Sequence, residues 1–301
     1  MKWLYGVLII LLILGSAAFW AIKFGPLSFV EGYFLNRPER PEGQLTLFEP
    51  ENGLKYYVYL PEGYTDTPAQ PYATIYHLHG AMPFPWKVAK GMVEADVRVL
   101  ANQMEALVKE GRADPAVIVA PYDGFGFSMW SDSSSGHEMI ESQILNTIMP
   151  HIQATYTVSK DRSNTFIQGF SMGGFGATKI GFKYPEKFSK ITSWDGAIHN
   201  WESLNNMRDH IVENMFASEA DFNSHSPWLA SQNYADNASA HPVKVSLFSG
   251  KMAAPSKFTA NFDKYLNTLG IAHTLTVTSC QHDPFCFMSQ ERVAQVYGNE
   301  Q

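Results

Sequence analysis

The five residues Gly169-Phe170-Ser171-Met172-Gly173 combine a hydroxyl with the space needed to expose it. Their spacing is G-x-S-x-G, in which a serine stands on a sharp strand-to-helix turn and its neighbours two positions away carry no side chain that would clash. Both flanks that such a turn requires are present. Residues 165–170 form a short apolar run with β-branched members, and from Met172 onward small residues and Ile180 read as a helix. The turn lifts Oγ out of the sheet and leaves the Met172 N–H at a helix N-terminus, where partial positive charge stabilises a developing oxyanion. A glycine-rich turn that serves packing alone carries the same letters, so the rest of the chain must supply a partner. A serine hydroxyl is a poor nucleophile until a base takes its proton, and the base in turn needs an acid to orient it.

These groups have to be held by a sheet. Residues 45–48 and 54–60 read as strands, the second alternating, which suggests an antiparallel start at a sheet edge. Further strands over 73–78, 117–120, 165–170, 190–194, 243–248 and 274–278 alternate with helical spacing over 96–110, 138–154 and 258–269. The alternation predicts an α/β fold with a mostly parallel central sheet and helices on both faces. Ligands in such sheets bind beyond the carboxyl ends of the strands, where Gly80, Ser171, Asp195 and His282 all fall. Residues 198–242, the longest insertion, carry Trp201, Met207, Met215, Phe216, Phe222 and Trp228. They read as a cap-like set of helices and loops, either shaping an acyl or alcohol pocket or burying their own aromatics.

Six of the ten histidines follow Ser171. His282 alone lies in the loop after the last expected strand, beside Pro284 and between Cys280 and Cys286, and it is assigned as the general base. His273 enters that strand from the wrong end, and His199, His210, His225 and His241 belong to the insertion. The two cysteines either bridge, pinning the histidine loop in an oxidising compartment, or stay as buried thiols.

Composition narrows the class. A chain of 301 residues with 45% hydrophobic content can bury the core of one large domain. A formal charge of -7, with 22 basic against 29 acidic residues and no basic run, speaks against nucleic-acid binding. Residues 4–22 are almost uncharged and apolar, long enough to cross a bilayer about 30 Å thick. They read as a signal anchor or a cleaved signal peptide. The expected organisation is therefore an apolar N-terminal helix over 1–23, a proline-containing linker over 24–43 and a catalytic domain over 44–301. The folded part is expected outside the cytoplasm, tethered to a membrane if the segment stays uncleaved.

Several stretches together resemble the esterase D, feruloyl esterase and antigen 85-like branch of the α/β-hydrolases. They are His79-Gly80 after a strand, Val119-Ala120-Pro121-Tyr122-Asp123-Gly124, Trp130-Ser131-Asp132-Ser133 and Ile148-Met149-Pro150-His151-Ile152. Gly169 to Ala177 and Tyr184-Pro185-Glu186-Lys187-Phe188 follow in register. The resemblance implies an α/β-hydrolase fold and hydrolysis of a carboxylic ester, or acyl transfer to a carbohydrate or lipid alcohol, without metal or cofactor. It also implies that the Ala81 N–H joins that of Met172 in an oxyanion hole. Trp86, Trp130 and Phe170 are expected to contact the substrate, and aromatics in these loops either stack on a sugar or aryl acid or line a hydrophobic pocket for an acyl chain. The chain departs from the family at the acid. That residue usually stands three positions after the glycine ending the strand before the histidine strand, and here the stretch reads Gly250-Lys251-Met252-Ala253. Asp195, one strand after the nucleophile, is the preferred acid, a placement that resembles pancreatic-type lipases; Asp283 and Asp263 are the alternatives. A catalytically degenerate binding protein is the reading that the missing acid would favour.

Overall fold

The computed structural model describes residues 31–299 apart from Asn36, Pro83, Phe125, residues 208–212 and Met252. The expected anchor or signal segment lies outside the described residues. Among the described residues, no helix is long and apolar enough to cross a membrane.

Eight strands form one sheet: β1 (Gln44–Phe48), β2 (Tyr56–Leu60), β3 (Ala73–Leu78), β4 (Ala116–Pro121), β5 (Thr165–Phe170), β6 (Lys190–Trp194), β7 (Lys244–Gly250) and β8 (His273–Thr278). Their spatial order is β1-β2-β4-β3-β5-β6-β7-β8. The β1–β2 and β2–β4 pairs are antiparallel and all others parallel, as the alternation of β2 and the β/α alternation downstream predict. Both β4 and β5 are buried along their whole length, as strands are when helices cover both faces of a sheet; the one amide in β5, Gln168, is hydrogen-bonded to His77, Trp194 and Tyr297. Within β4 the side chains still divide by parity. Val117 and Val119 join the core on one face, Ile118 and Ala120 the core on the other.

Helix α1 (Trp86–Lys109) packs on the second of these faces through Val93, Val97, Leu100, Met104 and Leu107. It begins ten residues before the expected start: Ala89, Met92 and Val93, buried at helical spacing, extend the apolar stripe of Val97 and Leu100 toward the N-terminus. The expected helix over 138–154 is three consecutive pieces: α2 (Ile140–Gln143), a π-helical turn (Ile144–Ile148) and α3 (Met149–Thr155). Pro150 has no N–H to donate, and the widened turn stands directly before it. Helix α4 (Met172–Lys183) follows β5 and is buried over eleven consecutive residues from Met172 to Phe182. The insertion folds as α5 (Trp201–Met207), α6 (Glu219–Ser224) and α7 (Pro227–Ala235). Its aromatics largely pack on one another and on the helices below. Phe222 lies 5.8 Å from Trp201, 5.3 Å from Phe216 and 6.1 Å from Phe175, and Tyr234 lies 5.2 Å from Phe182.

Helix α8 (Ser256–Thr268) precedes β8, and two helices not foreseen, α9 (Pro284–Phe287) and α10 (Gln290–Tyr297), close the chain. Residues 37–43, read as part of a linker, are strapped along α1. Arg98 donates to Pro38 O at 3.1 Å, and the Glu42 and Gly43 N–H groups donate to the Glu105 carboxylate at 3.0 and 2.7 Å.

Candidate active site

The β5–α4 turn places Ser171 at φ 55°, ψ −116°, a conformation that L-residues rarely adopt and that local packing must impose. The two motif glycines show how tight that packing is. A methyl group on Gly169 would come within 2.2 Å of Gly173 C and O, and one on Gly173 within 1.8 Å of Leu78 O. Ser171 N donates to Trp194 O at 3.0 Å, so the strained turn is tied to the end of β6.

Ser171, His282 and Asp195 form one hydrogen-bonded chain. His282 Nε2 lies 2.9 Å from Ser171 Oγ, and His282 Nδ1 lies 2.6 Å from Asp195 Oδ2. The carboxylate is fully buried, whereas the imidazole is about a third exposed. Asp195, at the end of β6, also has positive φ (46°). Its N–H donates to Phe248 O at 2.9 Å, and its other carboxylate oxygen accepts the Gly250 N–H at 3.0 Å. The end of β7, where the resembled family keeps its acid, thus supplies an amide that holds an acid from the neighbouring strand. The two alternatives are engaged elsewhere. Asp263 lies 3.0 Å from His273 Nε2, and Asp283 accepts the Phe285 N–H at 2.9 Å as the N-cap of α9.

The histidine loop is held from three sides. Cys280 and Cys286 are disulfide-bonded, closing a ring around His282. Arg292 on α10 donates to Phe287 O at 2.8 Å and to Cys286 O. Phe170 stacks on the imidazole with ring centroids 4.6 Å apart. Phe170, expected to touch substrate, therefore backs the base.

The Met172 N–H falls in the first turn of α4, where N–H groups have no acceptor within their helix. Ala81 follows Gly80, and a methyl group on Gly80 would lie 3.2 Å from Ser171 Cβ, so the Gly80–Ala81 segment borders the serine. The next N–H, that of Met82, donates to Gly126 O at 3.0 Å.

Trp130 requires a correction. The expectation put it against substrate, but it is fully buried: its indole N–H donates to His79 O at 3.1 Å, and its Cβ lies where a side chain on Gly176 would go. Trp86 is turned to the β1–β2 side, with its indole N–H on Glu49 at 2.6 Å, its ring 4.7 Å from Tyr122 and Lys55 above it. None of these contacts includes Ser171, His282 or Asp195.

Beneath the site runs an ion network that sequence reasoning missed. Lys179, fully buried on α4, donates to Trp130 O at 2.6 Å and to Ser131 Oγ at 2.8 Å, and pairs with Glu141 at 2.8 Å. Lys183 reaches the other Glu141 oxygen at 2.6 Å. Burial alone would raise the Glu141 pKa; the two ammonium groups outweigh it and bring the carboxyl down to about 2. Burial holds the Lys179 ammonium below its ordinary value, only partly offset by Glu141. A lysine among the small residues of α4 was the visible signal, since a cation there must be paired once the helix is buried.

A cavity of about 860 Å³ opens at the other end of the sheet, beside Ala73, Ala116, Asn164 and Lys190 at or near the starts of β3 to β6. The serine end is therefore singled out by its chemistry rather than by size. No cluster suited to hold a metal ion occurs among the described residues.

The Esterase family model matches residues 49–262. An acetyl esterase from Caldicellulosiruptor saccharolyticus is 31% identical over 71 residues, covering 24% of this chain and only 27% of that relative's own length. Among solved structures, a ferulic acid esterase is 20% identical with a TM-score of 0.65, over 86% of this chain and 99% of the other. An S-formylglutathione hydrolase from Agrobacterium tumefaciens is 17% identical with a TM-score of 0.67, over 88% and 99%. MPT51 from Mycobacterium tuberculosis is 14% identical with a TM-score of 0.57, over 83% and 97%. At these identities the structural likeness concerns the α/β-hydrolase fold.

Proposed function

This chain belongs to the Esterase family, and from that premise we propose that it cleaves carboxylic esters through an acyl-enzyme on Ser171. The observation that carries the reading is the continuous Ser171–His282–Asp195 chain at 2.9 and 2.6 Å. His282 Nε2 takes the hydroxyl proton as Oγ adds to the ester carbonyl carbon, and the buried Asp195 carboxylate stabilises the imidazolium that forms. The Met172 and Ala81 N–H groups receive the oxyanion, and collapse of the tetrahedral intermediate passes the proton from His282 to the departing alcohol. Water then repeats the sequence on the acyl-enzyme. The same chain of contacts argues against a degenerate binding protein, because burying Asp195 fully would be costly if it had no cation to meet.

The Cys280–Cys286 bridge and the apolar character of residues 4–22 support export of the folded domain. The decisive experiment pairs hydrolysis of p-nitrophenyl acetate with labelling by a fluorophosphonate probe. Both are expected in the wild type and neither in Ser171→Ala; turnover that survives the substitution would end this reading.

A further inference from the structure

We propose that His79 is a positioning residue that fixes the direction of the Gly80–Ala81 peptide and thereby aims the Ala81 N–H at the oxyanion. The inference rests on the reading of Ala81 as an oxyanion donor. His79 is fully buried at the end of β3 and makes no contact with Ser171, His282 or Asp195 among the bonds described above. Its ring nitrogens have distinct partners. Nε2 accepts the Asp123 N–H at 3.3 Å and lies 3.6 Å from Asp123 Oδ1, too far for a hydrogen bond to that carboxylate, so the ring proton is assigned to Nδ1. Nδ1 in turn lies 2.6 Å from Gly80 O, to which it donates.

That carbonyl and the Ala81 N–H belong to one planar, trans peptide, because the chain has no cis bonds among the described residues. Drawing the oxygen toward the imidazole turns the N–H the opposite way. A restraint is needed because position 80 is glycine, where a methyl group would lie 3.2 Å from Ser171 Cβ and from the Phe170 ring, a tight fit that favours the absence of a side chain. Glycine leaves the peptide free to rotate, and a carbonyl facing the site would repel the oxyanion instead of binding it.

The imidazole itself is immobilised by the loop after β4. Tyr122 stacks on one side with centroids 5.5 Å apart, and Trp130 meets it edge-on at 4.8 Å. Asp123, fully buried, accepts the Gly126 and Ser128 N–H groups at 2.8 and 3.2 Å, while Gly126 O holds the Met82 N–H. The loop therefore clasps residues 79 to 82 at both ends, with His79 as the contact that acts on the peptide between.

The test compares His79→Asn, whose amide N–H can stand where Nδ1–H does, with His79→Gln, whose amide N–H falls at the Nε2 position. His79→Gln is expected to lose about 10²-fold in kcat on p-nitrophenyl acetate with KM within about threefold. It should weaken a trifluoromethyl ketone, which forms a tetrahedral adduct on Ser171, in proportion. His79→Asn should recover most of both. Equal losses in the two variants, or losses that follow their unfolding temperatures, would overturn the proposal. In the wild type, ¹⁵N NMR of the ring should show the proton on Nδ1; an Nε2–H tautomer would overturn it without any variant. If Ser171→Ala is inactive while His79→Gln turns over normally, only this inference fails and the esterase reading stands.

Discussion

Replacing Asp195 by asparagine keeps the shape of the site and removes one charge, and its surroundings determine what the amide must do. Gly250 donates its N–H to one side-chain oxygen at 3.0 Å, and an asparagine there must keep its own oxygen on that donor. The NH₂ group then faces His282 Nδ1, 2.6 Å away in the native arrangement, and forces that nitrogen to accept. The ring proton moves to Nε2 and points at Ser171 Oγ, so the base arrives already protonated. The electrostatic loss adds to this. A carboxylate and an imidazolium with charge centres roughly 4 Å apart attract by about 4 kcal/mol at an effective dielectric constant of about 20, close to three decades in rate. Asp195→Asn should therefore lower kcat by about 10³- to 10⁴-fold, with KM and the unfolding temperature near their wild-type values. Steady-state hydrolysis of p-nitrophenyl acetate, with circular dichroism melting as the control, measures it. A folded variant within tenfold of wild type would show that His282 takes its orientation from something other than Asp195.

Gly173→Ala should destabilise the fold by about 3 kcal/mol or more in urea unfolding, because the added methyl would sit 1.8 Å from Leu78 O and must force α4 away from β3. Acid titration should reveal Glu141. Its folded pKa of about 2 lies below the ordinary 4.5, so its contribution is present above pH 4.5 and is lost as the pH falls toward 2, at most about 3 kcal/mol by linkage before the cost of burying Lys179 is subtracted. Glu141→Gln should lack that limb in fluorescence-monitored unfolding and be less stable at neutral pH, since it leaves Lys179 buried without the carboxylate it pairs with at 2.8 Å. Reduction of Cys280–Cys286 should cost the histidine loop about 2 kcal/mol of chain-entropy stabilisation and lower kcat, and an unchanged rate under reductant would show that Arg292 and Phe170 suffice to hold it.

Features written locally in the chain were legible before any fold was known. The G-x-S-x-G spacing reports its own backbone constraint, since only glycine survives at 1.8 to 2.2 Å from neighbouring backbone. The continuous apolar run of β4 reports burial on both faces. His282 was legible because a loop after the last strand of a parallel sheet ends beside the other carboxyl termini. Which aspartate meets it follows from the three-dimensional arrangement, because that choice depends on two strands lying side by side, with a Gly250 amide on one filling the role of an orienting partner for the carboxylate on the other. Trp130 misled for the same reason: a large aromatic in a loop near a site is equally suited to stack on a ligand or to brace the backbone, and its composition is the same in both. Its indole hydrogen bond to His79, and the buried Lys179–Glu141 pair below, arise from residues 51 and 38 positions apart in the chain, a proximity that no local pattern encodes.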